Sequence, residues 1–86
     1  VTYTLIWEHP ARMGFRRLDS VDPEAAAKCL AAVRSLAVEP RPAAASALGR
    51  SGYYRLAVDN WRLLFFPDDV RSAVHIWNVG RVPELL

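Results

Sequence analysis

Apolar and aromatic positions alternate through residues 2–7, with Tyr3, Leu5 and Trp7 on one side of an extended segment; the pattern predicts a strand. The period then changes. Pro10 suits a first helical turn, and Ala11, Phe15 and Leu18 fall on one helical stripe while Arg12, Arg16 and Arg17 point the other way. Asp22-Pro23-Glu24 marks the start of a second helix: an N-cap acceptor, a proline where the N–H is dispensable, and an acid beside the positive end of the dipole. That helix carries Ala26, Leu30, Val33 and Ala37 at core spacing, flanked by Cys29 and Leu36, and should end near Val38 because Pro40 and Pro42 cannot continue it. Residues 38–52, rich in Pro, Ala, Ser and Gly, read as a connection.

From Tyr53 the period becomes two. Residues 53–58 and 61–66 are strand-like runs joined by Asp59-Asn60, a pair suited to a tight hairpin. Pro67-Asp68-Asp69 turns the chain again, and residues 72–79 form a further strand. The order is β-α-α-β-β-β, an α+β domain with two helices packed on a mostly antiparallel, four-stranded sheet, because a sheet face is the only partner that can bury both helical stripes. A two-residue turn also dictates register: Val58 faces Trp61, Leu56 faces Leu63 and Tyr54 faces Phe65, an apolar set that belongs in the core together with Trp7. Tyr53, Arg55, Ala57, Arg62, Leu64 and Phe66 are left on the opposite side. A slip of one residue would bury both arginines, so the apolar pattern itself turns them outward.

Composition adds limits rather than direction. Eighty-six residues, 52% hydrophobic and 23% charged, suit one folded domain, residues 1–86, and no apolar run approaches the ~18 residues of a membrane span. The opening Val1-Thr2-Tyr3-Thr4 lacks the layout of a secretory signal, and a single cysteine, Cys29, excludes an internal disulfide or a multi-cysteine zinc site; a cytoplasmic protein is expected. A net charge of +2 is too mild to indicate nucleic-acid binding by itself. Its placement matters more. Arg55 and Arg62 share a face with Tyr53, and guanidinium forks match phosphate while a tyrosine ring can stack on a base, so the hairpin could form a small platform for single-stranded RNA. The same face would also suit an acidic or amphipathic peptide, or the arginines could simply pair with carboxylates.

Tyr54-Arg55-Leu56, then Asp59-Asn60-Trp61-Arg62-Leu63-Leu64-Phe65, then Val79-Gly80-Arg81 together resemble the signature of the RelE/ParE toxins of bacterial type II toxin–antitoxin systems. The resemblance extends over nearly the whole chain, through Tyr3, Leu5 and Trp7, the helical stripes, and the Pro-Arg-Pro segment before the hairpin. The RelE branch implies a ribosome-dependent messenger-RNA interferase, an endoribonuclease without metal or cofactor in which the substrate's 2′-hydroxyl attacks the adjacent phosphodiester. On that basis Arg55, Arg62 and Arg81 occupy the basic positions that would hold RNA and stabilise the charged transition state, with Arg62 the phosphate clamp and Tyr53 part of the RNA-binding surface. Partners implied are a cognate antitoxin, the ribosome and messenger RNA, with operator DNA reached only through the antitoxin complex and no membrane.

The sequence departs from the family at two points. Ala57 stands where some members have a second basic residue, and the segment after Gly80 reads Arg81-Val82-Pro83-Glu84-Leu85-Leu86 where members commonly have another basic residue and a late tyrosine or histidine. Arginines, with pKa values above ~12, are poor proton shuttles, and Glu84 is the only proton acceptor in that segment. A ParE-like inhibitor of DNA gyrase, which needs no nuclease groups, therefore stands as the alternative, as does a relative that only binds antitoxin. Among the other residues, His75 lies in register with Ala73, Trp77 and Val79 and could serve as a base if its face joins the arginines; otherwise it is a packed strand residue. Cys29 falls in a core stripe where a thiol is inert. His9, Asp68 and Asp69 read as turn residues.

Overall fold

The computed structural model describes residues 2–81. In chain order the elements are β1 (Thr4–Trp7), α1 (His9–Val21), α2 (Pro23–Ser35), β2 (Ser46–Ala47), β3 (Tyr54–Val58), β4 (Trp61–Asp68) and β5 (Ala73–Arg81). The two helices meet at Asp22, whose backbone N–H closes the end of α1 on the Leu18 carbonyl while its carboxylate accepts from the Ala25 N–H to cap α2. One residue thus satisfies orphan groups of both helices, which is why the chain can turn there without a loop.

The sheet order is β1-β5-β4-β3-β2; β1 runs parallel to β5 and the other pairings are antiparallel. The sheet has five strands where four were expected. The extra strand, Ser46–Ala47, pairs with Arg55 and Tyr54 and is exposed at both positions, so it is too short and too polar to leave an alternating pattern. Strand β4 also runs past Phe66 through Pro67. Proline is tolerated there because pairing with β3 ends at Tyr54–Phe65, leaving one edge of β4 without a neighbouring strand.

Both helices cover one face of the sheet. Ala11 and Leu18 of α1, with Ala25, Ala26, Cys29, Val33 and Leu36 from α2 and its C-cap, pack on Leu56, Trp61, Leu63, Phe65, Val74, Ile76 and Val79. The buried stripe of α2 runs through Cys29 and Leu36 rather than beside them, and Leu30 is only half-buried. Trp7 likewise packs at the margin of the core, edge-on to Phe15 at 5.5 Å, rather than inside it. Gly14 lets α1 lie directly on β5: a Cβ there would collide with the Val79 carbonyl. Among the described residues no helix is long and apolar enough to cross a membrane.

Candidate nucleic-acid interface

The hairpin register is the one the turn chemistry dictates: Tyr54 pairs with Phe65, Arg55 with Leu64, Leu56 with Leu63, Ala57 with Arg62 and Val58 with Trp61. Asp59 takes a left-handed φ of 53°, a conformation that Asp tolerates better than most side chains, and its carboxylate meets Lys28 of α2 at 3.1 Å. With Trp61, Leu63 and Phe65 turned into the core, Arg62, Leu64 and Phe66 are half-buried on the uncovered side, joined by Arg55 of β3 and by Tyr53 just before that strand. Arg55 and Arg62 are diagonal neighbours on adjacent strands, with backbones ~7–8 Å apart.

Among the described residues the ion pairs are Lys28–Asp59, Arg41–Asp69 and Arg71–Asp68, with His75 hydrogen-bonded to Glu8; neither Arg55 nor Arg62 is in one. Among the described residues, then, these two arginines are not spent on carboxylates. Arg62 instead donates through Nη1 to the carbonyls of Asp59 (3.1 Å) and Trp61 (2.9 Å), which anchors the guanidinium at the turn and leaves Nε and the second amino group clear of those bonds.

Arg81 is placed differently. It pairs with Trp61, a core-face residue, and its guanidinium lies over the Trp61 ring at 5.6 Å. It shares a shallow pocket of about 160 Å³ with Val21, Asp22, Asn60 and Trp61, at the end of the sheet but on the helix side. The backbones of Arg62 and Arg81 are close, because Gly80 is the partner of Arg62, yet their side chains leave opposite faces. The structure therefore brings Arg55, Arg62 and Tyr53 together and sets Arg81 apart. Glu84 lies outside the described residues.

The uncovered face has a second cluster. Tyr53 packs against Phe66 at 5.2 Å and edge-on to Trp77 at 6.5 Å, and Phe66 lies 6.4 Å from His75. His75 Nδ1 sits 2.8 Å from Glu8 Oε2, so the carboxylate that precedes α1 orients the imidazole. A register shift explains why Val79 does not join this face. Leu64 pairs with Asn78 but Phe65 pairs with Ile76, so Trp77 is an extra residue in β5, and the bulge returns Val79 to the core. Ala73 is buried as well. His75 pairs with Phe66, four residues from Arg62 along β4, roughly 13 Å at strand spacing.

Elsewhere, Cys29 is fully buried and its thiol is pushed up to about 11, chiefly by loss of water and then by the Asp59 charge, which agrees with an inert core thiol. Asp69 is more than a turn residue. It accepts a two-pronged bond from Arg41 at 3.0 Å and another from the Tyr3 hydroxyl at 2.6 Å, tying the connection after α2 to the sheet. Those bonds, Arg41 first, hold its carboxyl below the usual range, and the same Asp69 contact raises the Tyr3 phenol.

No protein-family model matches the sequence, and a search of curated proteins finds no match. Solved structures do match. A chain of the toxin–antitoxin complex RelBE2 from Mycobacterium tuberculosis superposes with a TM-score of 0.75 at 25% identity, covering 94% of this chain and 99% of that one. A variant of the toxin RelE from E. coli in the free state gives 0.80 at 20% identity, over 99% and 88% of the two chains. A YoeB/ParE toxin from Agrobacterium tumefaciens gives 0.79 at 12% identity, over 91% and 96%. The fold is that of the RelE/ParE toxins. The hairpin, the Val-Gly-Arg strand and the helical pair follow in the order the resemblance required, and the chain is similar to these toxins over nearly its whole length.

Proposed function

We propose that this toxin is the active partner of a toxin–antitoxin pair and cleaves messenger RNA on the ribosome in the cytoplasm, restrained by a cognate antitoxin. The observation that carries the reading is the pairing of Arg55 and Arg62 on the uncovered sheet face, with no carboxylate neutralising either among the described residues. In the reaction the 2′-oxygen of one nucleotide bonds to the adjacent phosphorus, the bond to the 5′-oxygen breaks, and a cyclic phosphate and a 5′-hydroxyl end result. Negative charge builds on the non-bridging oxygens, where the anchored Arg62 fork gives its largest stabilisation, with Arg55 as the second cation. Arg81, on the helix side of the sheet end, meets the strand only where it rounds that end.

A proton must still leave the 2′-oxygen and another reach the 5′-oxygen. His75 is roughly 13 Å along the sheet from Arg62, too far to serve the phosphate that Arg62 clamps. That distance favours a second reading, a ParE-like toxin that binds DNA gyrase without cutting RNA, or a relative retaining only antitoxin binding. Induction of the protein with and without the product of the neighbouring reading frame, followed by mapping of RNA ends, separates them. Cleavage within codons of translated messages, lowered ~10²–10³-fold by Arg62→Ala, is the expected result. Intact transcripts with arrested replication would transfer the assignment to gyrase, and normal growth would leave antitoxin binding alone.

A further inference from the structure

Trp77 has no role in the chemistry above and is the largest apolar side chain of the uncovered face, 41% exposed although β5 is an internal strand with β1 and β4 on either side. The indole is not a lone exposed ring: with Tyr53 and Phe66 it makes a contiguous aromatic patch, the kind of surface that marks a binding site. The bulge supplies the local cause. With two residues of β5 opposing one of β4, Trp77 and Asn78 stand side by side, and the indole leans toward Tyr53, whose ring meets it edge-on at 6.5 Å. Tyr53 is itself backed by Phe66, so one side of the aromatic group is supported from below.

The cluster sits at one end of the basic patch. By strand spacing, the backbone of Trp77 is about 8–10 Å from that of Arg62, a distance that a base and its neighbouring phosphate can bridge. A positive patch that tracks a phosphate backbone, with an exposed ring beside it, is the combination that binds single-stranded nucleic acid. Glu8, the carboxylate beside this cluster, is engaged by His75. We infer that Trp77, with Tyr53 beside it, is a stacking platform for a base of single-stranded RNA whose phosphates lie on Arg55 and Arg62. This rests on the RNA-binding reading of the arginine face. It assigns the nucleotide next to the clamped phosphate to a ring that the arginine motif does not contain, and makes Trp77 a determinant of base preference at the cut site.

The test uses the whole chain and a short single-stranded RNA made uncleavable by 2′-O-methylation. Trp77→Ala should weaken binding about 5- to 100-fold, the usual effect of losing one stacking ring, while Trp77→Phe, which keeps an aromatic face, should lose far less. In protein carrying fluorotryptophan, the ¹⁹F resonance that disappears in Trp77→Phe should shift when RNA is added, and the resonances of Trp7 and Trp61 should move less. Ends mapped on translated messages should show an altered base preference for Trp77→Ala with matching thermal melts. Unchanged affinity and an unmoved Trp77 resonance, with Arg62→Ala still weakening binding, overturn the platform and leave the RNA reading standing. If Trp77→Ala keeps its RNA affinity but loses the co-purifying antitoxin, the ring is a protein contact and the inference is wrong. Wild-type protein that neither binds the oligonucleotide nor cuts translated messages removes both readings.

Discussion

The two faces of the β3–β4 hairpin are built from the same alternation and do opposite work. On the covered face, Leu56, Trp61, Leu63 and Phe65 are at most 8% exposed and pack against two helices. On the open face, one residue away at each step, Arg55, Arg62 and Tyr53 make no ion pair among the described residues, and Arg62 is held only by bonds to backbone carbonyls at the turn. Burial sets the register, and the register then presents the arginines on the open face without a carboxylate partner among the described residues. Stability and activity should therefore separate along the hairpin with period two.

The strongest way to break that separation is Phe65→Ala. Phe65 is fully buried among the sheet and helix side chains, so its removal should cost about 3–5 kcal/mol, a large share of the stability of a small domain, measured by urea unfolding. Arg62→Ala, three positions earlier and on the opposite face, should lose ~10²–10³ in cleavage rate while its unfolding midpoint moves less, since it gives up two bonds to backbone carbonyls and the packing of a half-buried side chain rather than a core ring. A collapse of stability in Arg62→Ala would mean that the two faces are not independent. Gly14→Ala tests the covered side from the helix. The added methyl meets the Val79 carbonyl, and the helix must lift from β5, at an expected cost of about 1–3 kcal/mol in the same unfolding assay.

Arg81→Ala sharpens the comparison at the sheet end. Because Arg81 lies over Trp61 on the helix side, its loss should reduce stability by roughly 0.5–1 kcal/mol, the scale of an exposed cation–π contact, and cost less cleavage than Arg62→Ala. Equal losses for the two arginines would show that Arg81 reaches the open face when RNA is bound.

Much of this division was legible in the chain. Asp59-Asn60 between two alternating runs gave the hairpin register residue for residue, and the Asp22-Pro23-Glu24 boundary gave the helix junction. What escaped had physical causes. The bulge at Trp77 arises from how Leu64 and Phe65 share partners on β5, a tertiary adjustment with no local signature, and it reversed the face expected for Val79. The same shift concealed that Arg81, two residues beyond Val79, follows the core parity rather than that of Arg62. The Glu8–His75 and Tyr3–Asp69–Arg41 contacts join residues far apart in sequence, where spacing carries no information.

The smallest expected effect concerns that last network, which ties the connection after α2 to the sheet and leaves both hairpin faces untouched. Asp69 is held below its ordinary pKa by Arg41 and then Tyr3, so its contribution is present above the unfolded value of ~3.9 and is lost as the pH falls through the lower folded value. Tyr3 is shifted the other way by its bond to Asp69. Its contribution is present below the unfolded value of ~10 and is lost as the pH rises through the raised folded value. Lys28, raised by Asp59, weakens stability in the same alkaline direction, and Asp68, lowered by Arg71, in the same acid direction, so the variants must be compared with each other. Melting temperature followed from pH 3 to pH 11 should decline at both ends in the wild type. Tyr3→Phe should soften the alkaline decline and, by losing one of the bonds that lower Asp69, a smaller part of the acid decline, while Asp69→Asn should soften both more fully. Since Arg41 and Asp69 are both well exposed, the changes will be modest, and cleavage by either variant at neutral pH should match the wild type. A loss of cleavage in Asp69→Asn comparable to that in Arg62→Ala would place the connection, and not the hairpin alone, in control of the open face.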